Sequence, residues 1–236
     1  MQITNLTKNE IIKKCKRFIV SGQAENIVTI NSLMLRCAWH NTELSEAISS
    51  ASLITADSIG VFYASLLLDG RRVSRYPGIE MMEDLISLGM RIYMLGSKEG
   101  IAEEAVAQLK LKYTQADICG IHHGYFTHEQ EDDIISAVNS VEPDILFVGL
   151  DMPRQEIWIA KNKKKIKAKL IIGVGGSFDV ISGKLARAPV FFRNIGIEWL
   201  WRMILQPWRV IRIIKLPIFF LETIWRFVLR QNLFNT

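Results

Sequence analysis

The feature that most restricts how this chain can fold is a regular exchange of short apolar runs and longer amphipathic ones between residues 91 and 173. Arg91–Leu95, Asp117–Gly120, Asp144–Gly149 and Lys169–Gly173 have strand length and composition. Lys98–Lys112, His128–Asn139 and Arg154–Lys163 lie between them with helical spacing. Crossovers of this length join parallel strands, so the pattern predicts a parallel sheet with helices on both faces. Two further strands are expected upstream, over Asn26–Asn31 and Ser52–Thr55. Thr7 and Glu10 form a capping box that opens a helix toward Val20. Thr42 can cap a helix over Glu43–Ser50, and Pro77 is placed to start one that runs through Leu88 and closes at Gly89.

The expected class is therefore α/β: a Rossmann-like, mostly parallel sheet with a helical C-terminal appendage. At 236 residues and 49% hydrophobic, the chain can bury a full core. Composition shifts near Lys184–Arg193, which suggests a core over 1–190 and an appendage over 191–236. Charge divides at the same place. From Lys184 onward nine Lys/Arg stand against two Glu, a balance of +7 in a chain of +5, so the preceding body carries −2. The basic residues of the tail are interleaved with Trp, Ile and Phe rather than set on a polar face, which argues against nucleic acid. Cys15, Cys37 and Cys119 form no C-x-x-C pair and read as reduced cysteines of a cytosolic protein. Met1–Glu10 is polar and lacks the apolar core of a secretion signal.

The tail from Met203 to Trp225 is strongly apolar, yet Arg209, Arg212, Lys215 and Glu222 interrupt it and Pro207 and Pro217 break it. A spanning helix needs about 20 apolar residues with few charges. An in-plane helix on a bilayer surface, or a helix docked on a partner, suits this tail better. Beyond Pro217, Glu222, Arg226 and Arg230 recur every four residues as one polar stripe, with Phe219, Leu221, Ile224, Trp225, Val228 and Leu229 around it. The alternative is an ordinary helix packed on the protein's own core. The same apolar surface could equally pack on a second copy of the chain.

Ligands of such sheets sit outside the carboxyl ends of the strands. Thr29, Asn31, Asp57, Gly96-Ser97, Gly149–Gln155 and the turn Gly173–Asp179 all fall on that rim. The turn is not a dinucleotide fingerprint, because Phe178 stands where the third glycine belongs. It can bring backbone N–H groups of Gly173, Gly175 and Gly176 toward a phosphate or sugar, or it can be a plain strand–helix turn. Asp57 can be a general base at a strand exit or an N-cap for Ser58–Leu67. Gln155 and Glu156 fall in the first turn of a helix, where they line a site or offset the helix dipole. Arg75 is an anion-binding residue or a solvated loop charge. The adjacent His122-His123 pair lacks a third ligand at metal spacing, and no D-x-D triplet is present. A metal-free site with no cofactor is expected.

Together these segments resemble the WecG/TagA/CpsF glycosyltransferase family. The resemblance spans about Asn26 to Arg212. It rests on Thr29-Ile30-Asn31, Ala56-Asp57-Ser58-Ile59-Gly60-Val61 and Arg75-Tyr76-Pro77-Gly78. It continues through Val148–Glu156, Gly173–Asp179, Ser182-Gly183, Arg187-Ala188-Pro189 and Gly196–Arg202. The order and spacing of these motifs are more specific than any one of them. Ser58 and Asp151 depart from the family pattern, which bears on donor identity. The resemblance implies transfer of a sugar from a UDP-sugar to a lipid-linked acceptor, typically N-acetylglucosamine on undecaprenyl diphosphate, with inversion and without a metal. It implies that Asp57 is the catalytic base and that Thr29, Asn31, Arg75 and Gln155 surround the sugar and acceptor. Asp179 then lies near the uracil, and Arg202, Arg209 and Arg212 meet the diphosphate from the appendage.

The residues suit that chemistry independently of the resemblance. Inverting transfer needs one base, and arginine can stabilise departing UDP in place of a metal. The partners expected are a UDP-sugar, a lipid-linked diphosphate acceptor and the inner face of the cytoplasmic membrane, from a peripheral position. Two other readings fit parts of the sequence: a nucleotide-dependent oxidoreductase or epimerase on the same sheet, and a membrane-binding scaffold.

Overall fold

The computed structural model describes residues 1–207 and 214–234, and of Asn194, Arg202 and residues 232–234 it describes the backbone. Six strands form one sheet in the order β2-β1-β6-β5-β3-β4. They are β1 (Glu25–Ile30), β2 (Leu53–Ala56), β3 (Arg91–Gly96), β4 (Asp117–His122), β5 (Ile145–Gly149) and β6 (Leu170–Gly173). Every pairing is parallel. Successive side chains of a strand point to opposite faces, and here both faces are covered. Ile27, Ile145 and Phe147 point into one core layer, while Val28, Ile30, Leu146 and Val148 point into the layers opposite. The α/β class read from the alternation is the class observed.

The first layer is covered by α1 (Lys8–Ser21), α5 (Gly78–Ile86) and α6 (Ile101–Lys112). The other face carries α2 (Ser32–His40), α3 (Thr42–Ser49), α4 (Ile59–Asp69), α7 (Glu131–Ser140) and α8 (Arg154–Asn162). The Thr7–Glu10 capping box is present in both directions. Three local expectations shift. Asn41, not Thr42, caps α3, by accepting from the Leu44 N–H at 2.9 Å. His128–Gln130 is a 3₁₀ turn, so α7 begins only at Glu131. Helix α2 fills the stretch between the first strand and Asn41, where no element was expected; Asn31 caps it, accepting from the Met34 N–H at 3.0 Å.

Beyond β6 come three short helices, α9 (Ser177–Ile181), α10 (Val190–Asn194) and α11 (Glu198–Leu205). A C-terminal helix over Lys215–Phe234 follows. It packs on α4 and α2. Phe219 is fully buried there and stacks on Trp39 with ring centroids 5.4 Å apart. The polar stripe makes its side-chain contacts with the body, and Arg230 at its end stays about half exposed. Glu222 accepts from Arg36 at 2.8 Å and pairs with His40, Arg226 lies over the Trp39 ring, and Arg230 bonds Asp69 at 2.9 Å. Leu221, Ile224, Trp225, Val228 and Leu229 are left exposed. The helix thus packs on its own core along one side and presents an apolar surface along the other. Among the described residues no helix is long and apolar enough to cross a membrane.

Candidate active site

A cavity of about 640 Å³ opens at the carboxyl ends of β1, β2 and β6. Its lining includes Thr29, Asn31, Asp57, Arg75, Gln155, Gly175 and Gly176. Seven of the twelve residues singled out from the sequence therefore meet in one place. The lining also has an apolar wall, which includes Leu33, Met34, Trp199, Leu216 and Phe220. Sequence reasoning missed this wall. It depends on α2 and the C-terminal helix meeting over the sheet, and nothing local in the sequence encodes that.

Asp57 follows β2 directly, and its N–H continues the ladder to Ile30 O at 2.9 Å. It does not cap α4. Ser58 occupies that N-cap position, and its hydroxyl instead bonds Ser32. The Asp57 carboxylate reaches across to α5 and accepts from the Gly78 N–H at 2.8 Å. That N–H is the first of its helix and has no intrahelical acceptor, so the carboxylate supplies the partner it lacks. Gly78 is needed for the approach, because a Cβ there would lie 2.9 Å from Thr29 Oγ1.

Arg75 is turned toward protein acceptors. It donates from Nε to Asp57 O at 3.2 Å, from one terminal nitrogen to Arg193 O at 2.7 Å, and from the other to the Glu198 carboxylate. Thr29 donates to Gly173 O at 2.9 Å and ties β1 to β6. Gln155 is buried in the first turn of α8. Its Oε1 accepts from Gly175 N at 2.9 Å and Leu150 N at 3.3 Å, and its Nε2 donates to Glu156 Oε1 at 2.6 Å. Glu156 is buried too, and the burial pushes its carboxyl up to about 7 against the bond from Gln155.

The glycine turn contributes shape more than donors. Val174, Gly175 and Ser177 spend their N–H groups on Val148 O, Gln155 Oε1 and Val174 O. Gly173 belongs to β6 and packs against the Gln155 amide. Asp179 stands apart from the cavity lining, on α9, and accepts from Ser97 Oγ at 3.0 Å. That places it at the neighbouring rim, where β3 and β5 end. Arg202 lies on the backbone of α11, and Arg209 and Arg212 lie outside the described residues. Among the described residues, no three His, Cys, Asp or Glu side chains converge as a metal ion would require.

Comparison with known proteins gives this rim its context. The model of the glycosyl transferase WecG/TagA/CpsF family matches residues 1–233. The chain belongs to that family. Its relatives include an N-acetylglucosaminyldiphosphoundecaprenol N-acetyl-β-D-mannosaminyltransferase of Staphylococcus aureus strain MRSA252, 33% identical over 221 residues, covering 91% of this chain and 86% of the relative. The enzyme of the same name from strain NCTC 8325 / PS 47 is 32% identical over the same shares. As a member of the WecG/TagA/CpsF family the protein is a glycosyltransferase, and the oxidoreductase and scaffold readings fall away.

Proposed function

We propose that the protein transfers a sugar from a UDP-sugar to an N-acetylglucosamine carried on undecaprenyl diphosphate, for surface polysaccharide or teichoic-acid-type polymers. The names of its relatives favour an N-acetylmannosaminyl donor among the hexose, N-acetylhexosamine and uronic acid donors that fit the sequence. The observation that carries the reading is one cavity with two chemistries. The Asp57 carboxylate lines it together with apolar residues that include Leu216 and Phe220 of the C-terminal helix, which leaves further apolar residues exposed.

In this reading the acceptor hydroxyl attacks the anomeric carbon of the donor. Its proton passes to the Asp57 carboxylate, the bond from the anomeric carbon to the diphosphate oxygen breaks, and UDP leaves with the electron pair. One displacement inverts the anomeric centre. Thr29, Asn31, Arg75 and Gln155 surround the sugar and acceptor, with Gly173, Gly175 and Gly176 as the donor-side wall and Asp179 toward the uracil. Arg202, Arg209 and Arg212 stabilise the diphosphate without a metal, since a guanidinium fork matches phosphate oxygens. The apolar wall takes the start of the prenyl chain. The exposed apolar side of the C-terminal helix rests on the inner leaflet, where the acceptor resides.

The test is a panel of UDP-sugars offered with a lipid-diphosphate-N-acetylglucosamine acceptor, with and without EDTA. Transfer from one donor class that survives EDTA is expected. Transfer that requires added divalent cation would overturn the metal-free part. No transfer from any UDP-sugar would overturn the reaction.

A further inference from the structure

Glu198 belongs to the appendage, yet its carboxylate pairs with Arg75 of the core, and both side chains are about three-quarters buried. Arg75 uses its remaining contacts on Asp57 O and Arg193 O. Two residues beyond Tyr76, Gly78 holds the Asp57 carboxylate through its N–H. The intervening Tyr76 N–H is fixed to Ala56 O at 2.8 Å, directly before Asp57. The segment 75–78 thus grips Asp57 at its carbonyl and at its carboxylate, and it is held in turn by the appendage.

We propose that Glu198 is a positioning residue: by pairing with Arg75 it fixes the 75–78 segment against Asp57, so that the base is aligned when the appendage is seated. This rests on Asp57 being the base. Two further contacts favour a seated appendage. Gly196 has φ 75° and lies so close to Ile59 that a Cβ would come within 2.6 Å of its Cγ2. Trp199, next to Glu198, lines the same cavity as Asp57. An unpaired carboxylate or guanidinium at this depth is costly, so the pair forms as a unit. The inference assigns Gly196 and Glu198 a task in alignment rather than in substrate contact.

The test combines a structural and a kinetic measurement on the full chain. Glu198→Gln keeps the side chain's shape and removes its charge. Amide hydrogen exchange at Gly78 is expected to rise about tenfold, as its opening becomes easier. The kcat should fall about tenfold with KM nearly unchanged, because ground-state contacts are retained. In a cycle with Arg75→Ala and Glu198→Ala, the double variant should be no slower than Arg75→Ala alone. Glu222→Gln, which breaks the Arg36 pair on the C-terminal helix, should leave Gly78 exchange unchanged. Unaltered Gly78 exchange in Glu198→Gln, or additive losses in the cycle, would overturn the proposal. Failure of the wild-type protein to transfer any sugar would count against the function, while the exchange measurement would still judge the coupling.

Discussion

The carboxylate of Asp57 accepts from the backbone N–H of Gly78 at 2.8 Å across 21 positions of sequence. The bond joins the exit of one strand to the first turn of a helix on the opposite face of the sheet. It holds the carboxylate of a cavity-lining residue, and it comes from a backbone donor that only a proline at position 78 would remove.

Asp57→Asn is expected to abolish transfer while UDP still binds. The asparagine Oδ1 can keep the bond from Gly78, so the fold is retained, but the amide cannot take a proton from the acceptor. Loss of a general base costs about 10²–10⁴-fold in rate. Single-turnover transfer and UDP titration on the same sample check this. Near-normal turnover would remove Asp57 from its assigned role.

Glu156 gives stability a pH dependence of known sign. Burial raises its carboxyl to about 7 in the folded chain, from an ordinary value of 4.5. The folded state therefore binds the proton more tightly than the unfolded one. Stability from this group is complete below about 4.5 and is lost as pH rises toward about 7. Glu156→Gln, which cannot ionise, should match the wild type near pH 4.5 and exceed it near pH 8 by at most about 3 kcal/mol. Denaturant titrations at the two pH values measure the difference. An equal margin at both would show that burial does not raise this carboxyl.

The two sides of the C-terminal helix should separate under mutation. Phe219 is fully buried against Trp39, whereas Trp225 is 64% exposed. Phe219→Ala is expected to destabilise the fold by about 3–5 kcal/mol. Trp225→Glu should leave the melting temperature almost unchanged and weaken pelleting with anionic vesicles. Undiminished pelleting would mean that this surface is not the membrane contact.

Gly196→Ala should loosen the appendage. The residue has φ 75°, and the added methyl meets Ile59. The left-handed conformation alone costs about 1–2 kcal/mol for a residue with a Cβ. Transfer should fall with little change in the melting of the sheet core, as read by thermal unfolding and activity side by side.

The sheet was legible because it obeys local rules. Strands buried on both faces read as continuous apolar runs, and the helices between them carry caps and periodicity. Thr29, Asn31, Asp57 and Gln155 were legible as rim residues because strand ends converge by topology. What stayed hidden was tertiary. Asp57 resembles an N-cap by spacing, and the arrival of α5 gives its carboxylate a partner that spacing does not reveal. Arg75 reads as a ligand for anions until Glu198 arrives from 123 residues away. The stripe of Glu222, Arg226 and Arg230 reads as a solvent face, because periodicity reports that a helix has two sides and not which one is turned inward.

That inversion has a thermodynamic consequence. The pair Arg36–Glu222 is about three-quarters buried beside the helix and Arg230–Asp69 is about half exposed at its edge, while the apolar residues of the helix stand exposed above that surface. On a bilayer, hydrocarbon would cover that surface and exclude water from the layer below. The local dielectric constant falls and the attraction within each pair grows. If the helix rests on lipid as proposed, that contact would tighten it on the body, and by reciprocity a tightly held helix would offer lipid a better-formed surface. In the proposed reading, the seating of this helix beside the cavity is then tied to the presence of the phase that carries the acceptor.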